Sequence, residues 1–274
     1  MSRTGIAALI LAVTGMICGS GCGSSDPQAH KPTARGLEAT EKLFSVTTAS
    51  FQDEDIEGSR ADYMRMLIRQ GADVNATDNQ GKTPLMRTAH DSHRPEIVSL
   101  LIEAGADVQA KNLYGWTPLM FAALNSKTPE IVTLLIEAGA DANGKEKGFY
   151  RTPLSEAVMS SPDRYRLEKI TLLIEAGADV NKKGRSDFTA LMFAALFSSP
   201  EIVTVLIEAG ADVNAKSDDG STSLMFTASG KRYNLAPESV KLLIEAGADV
   251  NAKSDDGSTP LMHVEEEYSG YDFS

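Results

Sequence analysis

Apolar residues in this chain fall into two alternating kinds of stretch, separated by polar turns. One kind is typified by PLMFAALNS from Pro118, the other by PEIVTLLIEAG from Pro129. In the second, Ile131, Val132, Leu134, Leu135 and Ala138 recur at helical spacing and predict a short helix with a broad apolar face. The first is predicted helical on its flanks: Thr117 offers a capping hydroxyl and Pro118 suits the first helical position, where no backbone N–H is needed. Glu130 favours the positive end of the second helix dipole, and Gly139 ends that helix because a left-handed C-terminal position costs little only for glycine. The polar stretches between units carry turn residues such as Asp219-Gly220, which suit a hairpin-like finger.

The unit recurs along the chain. Gly-Ala-Asp-Val-Asn starts at Gly71, Gly177, Gly210 and Gly247, with variants at Gly105 and Gly139, so six copies are spaced by 34, 34, 38, 33 and 37 residues. Thr-Pro-Leu marks the same register at Thr83, Thr117, Thr152 and Thr259, varied to Thr-Ala-Leu at Thr189 and Thr-Ser-Leu at Thr222. Two short antiparallel helices cannot bury their apolar faces alone, so each pair must stack on the next. The combined pattern, D-x-x-G-x-T-P-L-M-x-A-A followed by E-I-V-x-L-L-I-E-A-G-A-D-V-N, resembles the ankyrin repeat from about Glu41 to the C-terminus. That resemblance implies an all-α repeat solenoid of stacked helix-turn-helix units with hairpin-like fingers. Residues 38–274 are read as the repeat domain: an N-terminal unit at 38–76, five full repeats over 77–252, and a truncated, acidic unit at 253–274. The first helix of the N-terminal unit is expected around Glu41 to Thr48 and its second over Tyr63 to Gln70. Residues 206–222 and 243–259 are the same string, LIEAGADVNAKSDDGST, so these positions encode scaffold.

Residues 1–21 precede the repeats and read as an export signal: Arg3, an apolar run from Ile6 to Cys18, then Gly19-Ser20-Gly21, too short for a spanning helix. With Cys22 next, the segment resembles a bacterial lipoprotein signal, which implies a lipid on Cys22 and a cell-envelope location, periplasmic or at a bacterial membrane. Gly19 departs from the aliphatic residue usual in that family, and Gly23 supplies no inner-membrane retention mark. Plain secretion is the alternative. Residues 22–37 are rich in Gly, Ser and Pro and read as a flexible tether.

Composition removes several functions. A net charge of −12 argues against nucleic acid, which draws on clustered Lys and Arg, and limits membrane contact to the lipid anchor. Both cysteines, Cys18 and Cys22, lie at the N-terminus, so the repeats hold no disulfide and no thiolate nucleophile. His90 and His93 are three apart, but no third ligand accompanies them, and they read as surface or turn residues. Asp212-Val213-Asn214 starts like a calcium loop that fails at Lys216 and Ser217. Glu103, Glu137, Glu175, Glu208 and Glu245 form a solvated ladder, while Met86, Met120, Met192, Met225 and Met262 read as packing between repeats. No nucleophile paired with a base and no cofactor fingerprint is present, so neither an enzyme nor a cofactor is expected.

Binding positions in a stacked array are those that depart from the repeat. The resemblance implies a protein partner held by finger tips and first helices in a concave groove. The variable finger positions include Asn79, Gln80 and Lys82, then Leu113, Tyr114 and Trp116, then Phe149 and Arg151, then Arg185 and Phe188, then Asp218, Asp219 and Ser221. Aromatic residues with Arg at the centre and a polar rim have the composition of an interface hot spot, so Tyr114, Trp116, Phe149, Arg151, Arg185 and Phe188 are assigned to the partner. Leu124, Met159, Leu196 and Phe197 extend that surface, and the long turns 160–169 and 229–238 each combine Arg with Tyr. A non-catalytic, monomeric protein-binding module of the cell envelope is expected. The alternatives are a secreted effector or inhibitor of a foreign protein and a self-assembling spacer.

Overall fold

The structure, a computed structural model, describes residues 33–47, 59–91, 94–144, 151–162, 164–197, 199–228 and 237–263. Its elements are antiparallel helix pairs: α1 (Ala34–Val46) with α2 (Arg60–Arg69), α3 (Pro84–Asp91) with α4 (Pro95–Glu103), and α5 (Pro118–Asn125) with α6 (Pro129–Glu137). They continue through α7 (Pro153–Met159) with α8 (Arg166–Glu175), α9 (Ala190–Leu196) with α10 (Pro200–Glu208), and α11 (Ser223–Ala228) with α12 (Pro237–Glu245). The backbone turns helical again at 260–263, and no strand occurs among the described residues.

Local chemistry sets the helix ends. Thr117 has extended backbone, and its hydroxyl accepts from the Met120 N–H at 3.4 Å, with Pro118 at the first position of α5. Thr83 and Thr189 cap α3 and α9 through Met86 and Met192 at 3.3 Å each, and Thr152 exchanges bonds with Ser155 in a reciprocal cap on α7. The second helices end where Gly71, Gly105, Gly139, Gly177, Gly210 and Gly247 take positive φ near +90.

Two boundaries differ from the sequence reading. Helix α1 opens at Ala34, inside the stretch read as tether, because Thr33 accepts from the Gly36 N–H and buried Gly36 lies against Gly71. A β-carbon on Gly36 would stand 3.0 Å from the Gly71 carbonyl oxygen. The turn 160–169 is shorter than its sequence suggested, since α8 begins at Arg166, whose guanidinium donates to the Ser160 carbonyl at 3.3 Å.

First helices α3, α5, α7, α9 and α11 pack side by side in one layer, and α2, α4, α6, α8, α10 and α12 in a second. Buried alanines such as Ala122, Ala157 and Ala194 let the first helices approach closely, while Ile131, Val132 and Leu135 and their equivalents fill the space between layers. Burying each such leucine or isoleucine contributes roughly 1.5–3 kcal/mol. Met86, Met120, Met192 and Met225 are buried at this seam, whereas Met262 in the last unit is exposed. Lys169 is the largest fully buried side chain, and its Nζ donates to the Ser126 carbonyl of the preceding unit at 3.3 Å.

Polar staples run beside this core from each unit to the next. The Asn181 amide donates to the Gly210 carbonyl at 3.0 Å and its Oδ1 accepts from the Asp212 N–H at 2.8 Å. Asn75, Gln109, Asn143 and Asn214 do the same one unit apart, and Thr40 stands in for them at the N-terminal end by accepting from the Asp73 N–H at 2.8 Å. Each aspartate meanwhile closes its own turn, as Asp212 does on the Asn214 N–H at 2.9 Å. The Asp-x-Asn motif that resembled a calcium loop is therefore a joint between units.

Replacing Asn181 by Ala removes both staple bonds and is expected to lower stability by about 1–2 kcal/mol. Asn251 occupies the same register, but its side-chain amide meets no described residue, so Asn251→Ala should cost less than about 0.5 kcal/mol. Paired denaturation midpoints of the two variants check this, and equal losses would contradict the staple.

Candidate functional site

Five fingers close through a backbone N–H donating to a carbonyl four residues on: Asp78 to Lys82, Asn112 to Trp116, Gly184 to Phe188, Ser217 to Ser221 and Ser254 to Ser258, at 2.8–3.1 Å, while the third lies mostly outside the described residues. Asp78 and Asn112 reinforce their turns by accepting from the N–H groups two and four residues ahead. Burial is the largest influence on Asp78 and pushes its pKa up, but bonds from the Lys82 N–H, Arg87 and the Gln80 N–H together hold it below its ordinary value. In the last finger, the Ser254 hydroxyl first, then the Ser258 N–H and hydroxyl, draw Asp256 down to about 2. Neighbouring fingers also touch: Leu113 N–H donates to Gln80, Asp218 to Ser186 and Asp255 to Asp219, at 3.2, 2.9 and 2.9 Å. Turn glycines make this approach feasible, since a β-carbon on Gly81 would stand 2.9 Å from the Leu113 nitrogen and one on Gly220 3.0 Å from the Asp255 nitrogen.

The fourth finger breaks the rule twice. Gly184 stands where the side-chain anchor belongs, and Asp187 stands where the turn glycine belongs. Consequently Ser186 and Asp187 adopt φ of 56° and 58° within a 3-10 turn, Arg185–Asp187, a left-handed geometry unfavourable to residues with a β-carbon. Lys183 holds the Asp187 carboxylate at 3.0 Å.

A row of side chains runs beneath the fingers. The last finger residue reaches the first-helix residue five positions later: Trp116 lies on Phe121 at 5.1 Å, and Phe188 lies on Phe193 at 5.2 Å and on Phe226 of the next unit at 4.8 Å. In the third unit Arg151 donates to Glu156 at 3.1 Å, and the glutamate is fully buried. Lys82 stands 5.0 Å over the Phe121 ring. Phe121, Glu156, Phe193 and Phe226 were not singled out from the sequence. Their signal is nonetheless present, because the second position after the Leu of the Thr-Pro-Leu register changes from unit to unit as Arg87, Phe121, Glu156, Phe193 and Phe226.

Tyr114 is 59% exposed beside Leu113 at 68%, and Arg185 is also exposed. Trp116 and Phe188, expected at the surface, are half-buried because neighbouring rings cover them. Arg151, Arg185 and Phe188 come together with Lys182 and Phe193 around a cleft of about 210 Å³ beside the fourth finger. Phe149, Cys22, His93 and the turn 229–236 lie outside the described residues. Among the first-helix ends, Leu196 and Phe197 are exposed, while Leu124 and Met159 are half-buried. Arg164 stacks on its neighbour Tyr165 at 4.4 Å. His90 lies 2.6 Å from the Asn125 amide and edge-on to Phe121. The glutamate ladder at 103, 137, 175, 208 and 245 is solvent-exposed.

Ankyrin repeats, in three copies, match residues 56–146, 128–217 and 191–265. This chain is an ankyrin-repeat protein. Two solved ankyrin domains share the fold. The ankyrin repeat domain of Bcl-3, a member of the IkappaB family, superposes with a TM-score of 0.64 at 24% identity, over 81% of this chain and 92% of its own. The human ASB11 ankyrin repeat domain gives 0.66 at 24%, over 83% and 94%. Comparison with curated protein sequences finds no match. Ankyrin repeats generally serve as protein-interaction modules and are typically non-catalytic.

In this ankyrin array, Asp187→Gly relieves one of the two left-handed strains of the fourth finger, leaving Ser186, and sacrifices an exposed ion pair with Lys183. A gain of about 1 kcal/mol is expected, checked by the shift of the denaturation midpoint.

Proposed function

We propose that this chain is a non-catalytic module of the bacterial cell envelope, tethered through a lipid on Cys22, that holds a protein partner against its fingers and first-helix row. The observation that supports the binding reading is the departure from the repeat at one place. The exposed Leu113-Tyr114 tip, the aromatic row beneath it and the cleft beside Arg151 and Arg185 all lie on the finger side of the first helices. Exposed and half-buried rings beside arginine supply the apolar area and directional charge of an interface centre. The scaffold positions, by contrast, are spent on staples and core. The envelope reading rests on the export-type segment 1–21 and on Gly19-Ser20-Gly21-Cys22.

Tyr114→Ala combined with Leu113→Ala should weaken capture of partner from native envelope extract by about tenfold or more, with helical content by circular dichroism unchanged. Full capture by the folded double variant would remove the finger face as the binding surface. Separately, Cys22→Ser should shift the protein from the membrane fraction to the soluble fraction, and continued membrane association would refute the lipid tether.

A further inference from the structure

The cleft beside the fourth finger is a local reversal of charge. The chain carries −12 overall, yet Arg151, Lys182 and Arg185 converge on this opening with no carboxylate among its described lining residues. Arg151 engages Glu156 through Nη1 alone, which leaves its other donors for a ligand, because a guanidinium carries five N–H groups. Phe188 and Phe193 form the apolar wall opposite these cations. At about 210 Å³ the cleft is smaller than the roughly 300–1,000 Å³ of small-molecule sites. It fits side chains of a peptide better than a free organic ligand.

The surroundings restrict the ligand further. The fifth finger, joined to the fourth by the Asp218 N–H bond to Ser186, exposes Asp218 and Asp219, and the sixth exposes Asp255 and Asp256. Beyond the cleft, therefore, exposed carboxylates outnumber the cations Lys216 and Lys253 at the finger tips. Like charges brought together across an interface cost enough to reject a partner.

We infer that the cleft receives an acidic residue of a protein partner set beside an aliphatic or aromatic one, and that the partner segment continuing toward the fifth and sixth fingers is neutral or basic. The carboxylate meets Arg151, Lys182 and Arg185, and the apolar neighbour rests on Phe188 and Phe193. Charge-assisted bonds to arginine supply direction, and the aromatic wall supplies burial. This inference rests on the finger-face reading above and adds the chemistry of the partner to it.

Selection of a random peptide library on the intact mature chain tests it. The wild type should enrich peptides with Asp or Glu next to an apolar residue. Lys182→Glu with Arg185→Glu should bind those peptides about tenfold or more weakly and enrich Lys or Arg in their place. Arg151 is left intact because the buried Glu156 depends on it, and unchanged helical content and melting of the double variant exclude unfolding. A neutral or basic consensus on the wild type, the same consensus on both proteins, or no enrichment overturns the acidic ligand. Should that occur while the Leu113 and Tyr114 variant still loses its envelope partner, the finger-face reading stands and only the partner chemistry fails.

Discussion

The rest of this molecule depends on a joint between consecutive repeats that is part apolar and part polar. Neither helix of a pair is long enough to persist in water alone, so a unit is stable only when its neighbours cover it. Apolar burial supplies the attraction but does not specify register. The amide of Asn75, Gln109, Asn143, Asn181 or Asn214 does, because it must reach a glycine carbonyl and an aspartate N–H of the next unit at once. Satisfied together, these bonds admit one angular setting between neighbours. The fingers and first helices of all units are thereby aligned, and side chains distant in sequence, such as Phe188 and Phe226, meet at 4.8 Å.

The repeating part of the fold was legible in the sequence for the same reason. Thr-Pro, the buried Leu and Ile positions and the terminal glycine each answer to local physics, so a pattern read at one unit transfers to all. The first unit was less legible: α1 opens at Ala34 because Gly36 packs on Gly71, a contact between residues far apart that no local signal announces. The fingers were legible as turns, whereas their stacking depends on glycine Cα atoms lying against the backbone of the next finger.

The candidate site was legible by residue and not by orientation. Composition drew attention to Trp116, Arg151 and Phe188, but a variable residue can face a partner or its own helix. Here Trp116 covers Phe121, Arg151 compensates the buried Glu156, and Phe188 wedges between Phe193 and Phe226. Only the structure pairs Trp116, Arg151 and Phe188 with first-helix residues five positions later. The fourth finger is a further case: Gly184 and Asp187 exchange the places that side-chain anchor and glycine hold in the first, second, fifth and sixth fingers, and the strain that follows is visible only in the backbone angles.

Regularity and specificity thus occupy different layers of the same unit. Positions that repeat are committed to staples and core, where a change destabilises the joint whatever the partner. Positions that vary are held in place by that frame, and where they point outward, as Leu113 and Tyr114 do, they can change at little cost to the stack. The third and fourth units use this freedom twice, placing a buried glutamate under an arginine and tolerating two left-handed residues at a finger tip. Both features impose a cost on the folded chain, and both lie beside the cleft lined by Arg151, Lys182 and Arg185. Natural sequences retain such local conflicts mainly where binding requires them. Strain and buried charge of this kind fall at varying positions of the finger face and not in the repeated frame.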